Sequence, residues 1–162
     1  RALQEKLFSE YPKIFAQKDL DKTQTLMCWG IACGDGWYNI IDTLCSNIQT
    51  YCDAPHKDIV SYKRYLAKAK EDGEELWATT CQERLDKAIE TAKNRLQVEA
   101  VQVKEKYGTL RFYTNRHDDT IDALISFAED ISGCTCENCG SPGNPSRSGW
   151  IKVQCSSCRG DI

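Results

Sequence analysis

Two Cys-x2-Cys pairs, Cys136/Cys139 and Cys155/Cys158, stand fifteen residues apart near the end of the chain, and no other feature restricts its fold as strongly. Two residues between thiolates let both sulfurs point at one ion from a tight turn. A gap of about 15 to 20 residues then brings two such turns together. The four cysteines are expected to hold a structural Zn2+ in a zinc ribbon, because a closed four-thiolate shell leaves the ion no open position for catalysis. Gly140, Pro142, Gly143 and Pro145 read as the return loop, and Trp150, Ile151 and Val153 as a short strand that gives the site apolar cover. Two disulfides or free thiols are the alternative. A zinc deaminase is rejected, since it needs His or Cys followed by a catalytic Glu, and a Pro before the pair. Here His117 precedes Asp118, and no Pro stands before either pair. Cys134 is left as a spare.

Ten cysteines raise the question of compartment. Five crowd into 134–158, while Cys28, Cys33, Cys45, Cys52 and Cys81 lie scattered among apolar residues. That pattern fits a reducing compartment with one metal site and several buried thiols rather than a secreted disulfide scaffold. Cys28 and Cys33 with Cys45 or Cys52 offer a second metal site as the alternative. No run of eighteen apolar residues occurs, so no membrane span is expected. Arg1 to Lys6 is amphipathic and lacks the apolar core of a secretory leader. The expected location is the cytoplasm. A net charge of −3 argues against a broad basic surface for wrapping nucleic acid.

Apolar spacing predicts a helix over 2–11, irregular chain over 13–36, and a strong helix whose stripe is Trp37, Ile40, Ile41, Leu44, Cys45 and Ile48. Asp53-Ala54-Pro55-His56 is expected to break it. Residues 54–96 read as an inserted helical hairpin, turning near Asp72-Gly73, with Trp77, Cys81, Leu85, Ala88, Ile89, Ala92 and Leu96 along one side. From Val98 the pattern alternates, and Tyr107-Gly108-Thr109 turns it into a β-hairpin with Gly108 at positive φ. A helix capped by Asp118 or Asp119 follows, with Ile121, Leu124, Ile125 and Ala128 inward. The expected architecture is α+β: a body over 1–132 and a zinc ribbon over 133–162.

Two segments invite a ligand. Met27 to Trp37 sets glycines and tryptophans at the mouth of the strong helix, where free N–H groups and the dipole suit an anion. Trp29 and Trp37 could stack on a base, although the position of Trp37 in the stripe favours a core role for it. In the hairpin, alternation puts Lys104 and Lys106 on one face of the first strand, with Arg111 and Tyr113 together on the second. Such a face suits phosphate or carboxylate, or is simply solvated. Hydrolase and phosphate-loop motifs are absent and only His56 and His117 occur, so a non-catalytic protein is expected.

Three stretches carry a resemblance: Met27–Trp37 running into Ile40-Ile41-Asp42-Thr43-Leu44-Cys45, the Val103–Tyr113 hairpin, and Cys136-Glu-Asn-Cys139-Gly-Ser-Pro-Gly with Gly149-Trp150. Together they resemble a family of small proteins encoded by tailed phages and prophages, outside residues 54–96. Family members often close the second knuckle with His, where this chain has Cys158. The resemblance implies an accessory protein acting in bacterial cytoplasm, in counter-defence or takeover of the host, by binding. The leading expectation is capture of a small anionic, nucleotide-like ligand through Trp29, Trp37, Lys104, Lys106, Arg111 and Tyr113, in a site that subunits of a homo-oligomer could share. The alternatives are a module that binds and inhibits a host protein, and a ribbon that contacts nucleic acid through Arg147, Lys152 and Arg159.

Overall fold

A computed structural model describes residues 2–146 and 149–160. The chain divides into two units, one made of residues up to Gln49 and from Val98 onward, the other of Thr50–Gln97. Helix and strand both contribute, and the architecture is α+β as the sequence indicates.

In the first unit, α1 (Ala2–Glu10) turns Leu7 and Phe8 inward, and the chain then buries Ile14, Phe15 and Met27. The stretch expected to be irregular contains 3-10 turns and one short strand, β1 (Ile31–Ala32). β1 lies parallel to β2 (Ala100–Lys106), which pairs antiparallel with β3 (Thr109–Thr114), giving the order β1-β2-β3. The Tyr107-Gly108 turn takes positive φ at both residues, 55° and 80°, as a two-residue type I′ hairpin requires. A bulge between Ala100 and Gln102 resets the alternation, so Ala100 and Val103, three residues apart, both reach the core.

α4 (Asp119–Ser132) opens on the Asp118 side chain, which accepts from the Ile121 N–H at 2.9 Å. It covers the outer edge of β3. Ser132 Oγ takes the Leu110 N–H at 2.7 Å, and Glu129 Oε1 takes the Phe112 N–H at 3.1 Å. The Leu110 and Phe112 donors of that edge are thereby satisfied by the helix rather than left to pair with another chain.

α2 (Tyr38–Glu71) supplies residues 38–49 to the first unit, where Trp37, Ile41, Leu44, Cys45 and Ile48 are buried as their spacing predicts. It does not break at Asp53–His56. Pro55 sits inside the helix, buried, and has no N–H to act as the donor that residue 55 would otherwise give the Tyr51 carbonyl. The Arg95 guanidinium supplies one, donating to Tyr51 O at 3.2 Å while lying 3.8 Å from the centre of the Tyr51 ring.

The second unit is a helical hairpin. α2 ends where Gly73 (φ 72°) donates to Lys70 O and Glu74 donates to Ala69 O, the paired bonds of a Schellman stop. α3 (Glu75–Asn94) returns, and Leu66, Cys81 and Leu85 form a small core with Ile59, Tyr62, Ala78 and Ile89 against it. Trp77 and Leu96, expected on the inner side, are exposed near the ends of the hairpin.

Candidate metal centre

The sulfurs of Cys136, Cys139, Cys155 and Cys158 all lie within 4.8 Å of one another, and Cys139 and Cys155 approach to 3.6 Å. No disulfide joins any of the described cysteines. The first knuckle closes through Gly140, at φ 80°, whose N–H donates to Cys136 O at 2.8 Å. In the second, Cys155 caps α5 (Ser156–Arg159), its sulfur accepting from the Cys158 N–H at 3.4 Å. The short pair β4 (Asn144–Pro145) and β5 (Val153–Gln154) returns the chain, and the Glu137 N–H donates to Val153 O. The expected cover is only partly there. Val153 is buried, but Trp150 and Ile151 precede β5 and are exposed.

Hydrogen bonds set the thiols apart. The Ser141 hydroxyl and N–H hold the Cys139 pKa down to about 6, while Cys158, sharing its proton first with Cys139, is pushed up to about 12. One member of the cluster is thus a ready thiolate and another keeps its proton. A cation at their centre would replace the protons and ionise the set. Four convergent thiols with no disulfide fit a tetrahedral metal ion.

The Gly-Asp-Gly-Trp segment, expected to face a ligand, is the seat of this centre. The Gly36 N–H donates to Glu137 O at 2.8 Å and the Gly34 N–H to Glu137 Oε1 at 2.9 Å. The Trp37 indole donates to Thr135 O at 2.8 Å. A Cβ on Gly34 would lie 2.3 Å from Glu137 O, and one on Gly36 would lie 2.2 Å from Cys136 O. Both positions are glycine because the knuckle backbone presses against them. Trp37 is fully buried with its one polar atom satisfied, so it has neither ring face nor donor left for a ligand.

The other candidates divide. Trp29 is 72% exposed and lines an open cleft beside α1. Lys104, Lys106, Arg111 and Tyr113 do share one face of the hairpin, since Lys104 pairs with Arg111 and Gln102 with Tyr113. None of the four lines that cleft. Tyr113 edges a separate shallow groove, Lys104 leans over the Tyr113 ring, Lys106 over Tyr107, and Arg111 is paired with Glu129 at 3.3 Å. In the ribbon, Arg159 is bound to the Asn144 and Gln154 carbonyls, Lys152 is exposed, and Arg147 lies outside the described residues. Cys28 and Cys33 join no metal-competent cluster among the described residues. The sequence reading passed over Glu137, which locks knuckle to body. Its place between two ligands was the only signal of that role.

No protein-family model, curated protein or solved structure gives a significant match to the chain. No helix among the described residues is long and apolar enough to cross a membrane.

Proposed function

We propose that the chain is a zinc-stapled, non-catalytic binding protein that docks on a partner protein. Zinc is the ion favoured by four thiolates. A zinc–sulfur bond of about 2.3 Å in a tetrahedron sets the sulfurs about 3.8 Å apart, and the 3.6 Å between Cys139 and Cys155 is close to that. With every ligand position filled by the chain, the ion is structural, and its role is to hold a segment with little core of its own.

The observation that carries the docking reading is the end of the first unit where the hairpin tip, α4 and the ribbon loop meet. Gly108 packs so closely on Ile151 that a Cβ would lie 2.8 Å from its Cγ2, and Gly133 lies against Thr109. Next to these contacts in sequence Tyr107 and Trp150 stand 71% and 75% exposed, and on α4 Phe127 is 67% exposed, with Ile131 and Ile151 also reaching water. Large aromatics left in water are the usual anchors of a protein interface. The resemblance to phage-encoded proteins supports a bacterial host protein as partner and counter-defence as setting, and ten free cysteines support a reducing compartment. The test is crosslinked capture from bacterial extract with three forms of the protein. A partner retained by wild type and by Leu76→Ala, and lost with Phe127→Ala/Trp150→Ala, supports the reading; capture indifferent to Phe127 and Trp150 contradicts it.

A second reading keeps the nucleotide-like anion, on the single observation that Lys104, Lys106, Arg111 and Tyr113 share a face. Arg111 would have to leave Glu129 to serve it. Thermal stability against a panel of linear and cyclic nucleotides decides this: a shift of several degrees that Lys104→Ala removes would favour it, and a flat panel would end it.

A further inference from the structure

The cleft beside α1 combines acidic side chains with an exposed indole. It holds about 600 Å³ and its floor includes the buried Met27. At its wall Trp29 is 72% exposed, and the backbone on either side of it is held by hydrogen bonds. The Met27 N–H donates to Thr25 Oγ1, the Gly30 N–H donates to Met27 O, and the Ile31 N–H donates to Gln4 Oε1 at 2.8 Å. An indole left in water on an anchored backbone is costly for a chain that could bury it, and it offers a ring face to a ligand.

The charge around that ring is negative. Glu5, Asp19 and Asp35 line the cleft against a single cation among the described residues, Lys18, which is paired with Asp19. An anion would meet two uncompensated carboxylates. A cation would meet them and the electron-rich face of tryptophan, the best of the aromatic rings for this contact. The wall itself is held by the metal ribbon, since Gly34 beside Asp35 is bonded to Glu137.

We propose that the Trp29 cleft receives the ammonium or guanidinium group of a lysine- or arginine-bearing segment of a protein partner. This adds a second recognition point to the docking reading above and stands on a different surface, so either can fail alone. The test follows the four indole N–H signals of the zinc-loaded protein by NMR, with Trp29 assigned through Trp29→Phe. Blocked arginine- and lysine-containing tripeptides, spermidine and AMP are added in turn. The expected result is a saturable shift of the Trp29 signal with the basic tripeptides, weakened at least tenfold in Glu5→Gln/Asp35→Asn. Trp150, equally exposed, should stay unmoved. Equal movement of Trp150, no saturable shift, or a response to AMP would overturn the proposal. Saturation by spermidine at lower concentration than by the tripeptides would also overturn it, and assign the cleft to a free polyamine. The Glu5→Gln/Asp35→Asn variant is checked for an unchanged amide spectrum elsewhere, and Phe127→Ala/Trp150→Ala should leave the Trp29 response intact.

Discussion

At Gly36 a methyl group would sit 2.2 Å from Cys136 O and 2.6 Å from the Gly140 nitrogen, both of them backbone. Neither can swing aside as a side chain would, so Gly36→Ala should lower stability by about 3 kcal/mol, or a melting point lower by about 9 °C for a chain of this size. Gly73→Ala is the control: nothing lies within 4 Å, and only its positive φ penalises the change, by about 1 kcal/mol. Equal losses in the two variants would contradict close packing of knuckle on body. The thiols give a second prediction at this scale. In chelator-treated protein at pH 7, above the pKa of Cys139 and far below that of Cys158, alkylation should mark Cys139 first and Cys158 last within the cluster. Peptide mass spectrometry reads the order, and before chelation all four should be protected. The four-cysteine cluster was legible because two Cys-x2-Cys turns at this separation bring their sulfurs together. Trp37 kept its place in the core stripe, while the ligand expected at Gly34 and Gly36 is replaced by protein backbone for a physical reason. Glycine that admits a ligand and glycine that admits a backbone look alike, and the partner, Glu137, is 103 residues from Gly34.

Among the elements, the hairpin and α4 followed from alternation and capping, because those signals are local. The break expected at Pro55 did not occur, and its remedy is remote: Arg95 reaches Tyr51 O across 44 residues of sequence. Arg95→Met should therefore cost about 1–2 kcal/mol in the wild-type background. It should cost about 1 kcal/mol less in the Pro55→Ala background, where the helical N–H is restored. Denaturant melts of the four proteins in this cycle check it, and a cost independent of residue 55 would dismiss the compensation. At the edge of β3, Ser132→Ala leaves the buried Leu110 N–H without its acceptor, and a loss of about 1–3 kcal/mol is expected in the same assay.

For the whole molecule, the metal centre is tied to the interior of its unit through Glu137 and Thr135. Removal of the ion should free the Gly34 and Gly36 amides and the Trp37 indole to exchange with solvent. The Thr50–Gln97 hairpin, with its own core, should keep its protection. The α+β class and the ribbon were readable from sequence because periodicity and cysteine spacing declare them. Which surfaces face water was not: Trp29 and Trp37 are eight residues apart in one motif, yet one is exposed and the other is fully buried. The measurement that bears most directly on the account is the metal content of the chain purified without added reductant, by native mass spectrometry alongside elemental analysis. One zinc ion per chain, lost in Cys155→Ser together with protection of the Trp37 indole, is the predicted result. A metal-free chain that keeps that protection, or a mass two or four protons light from disulfides among these cysteines, would contradict it.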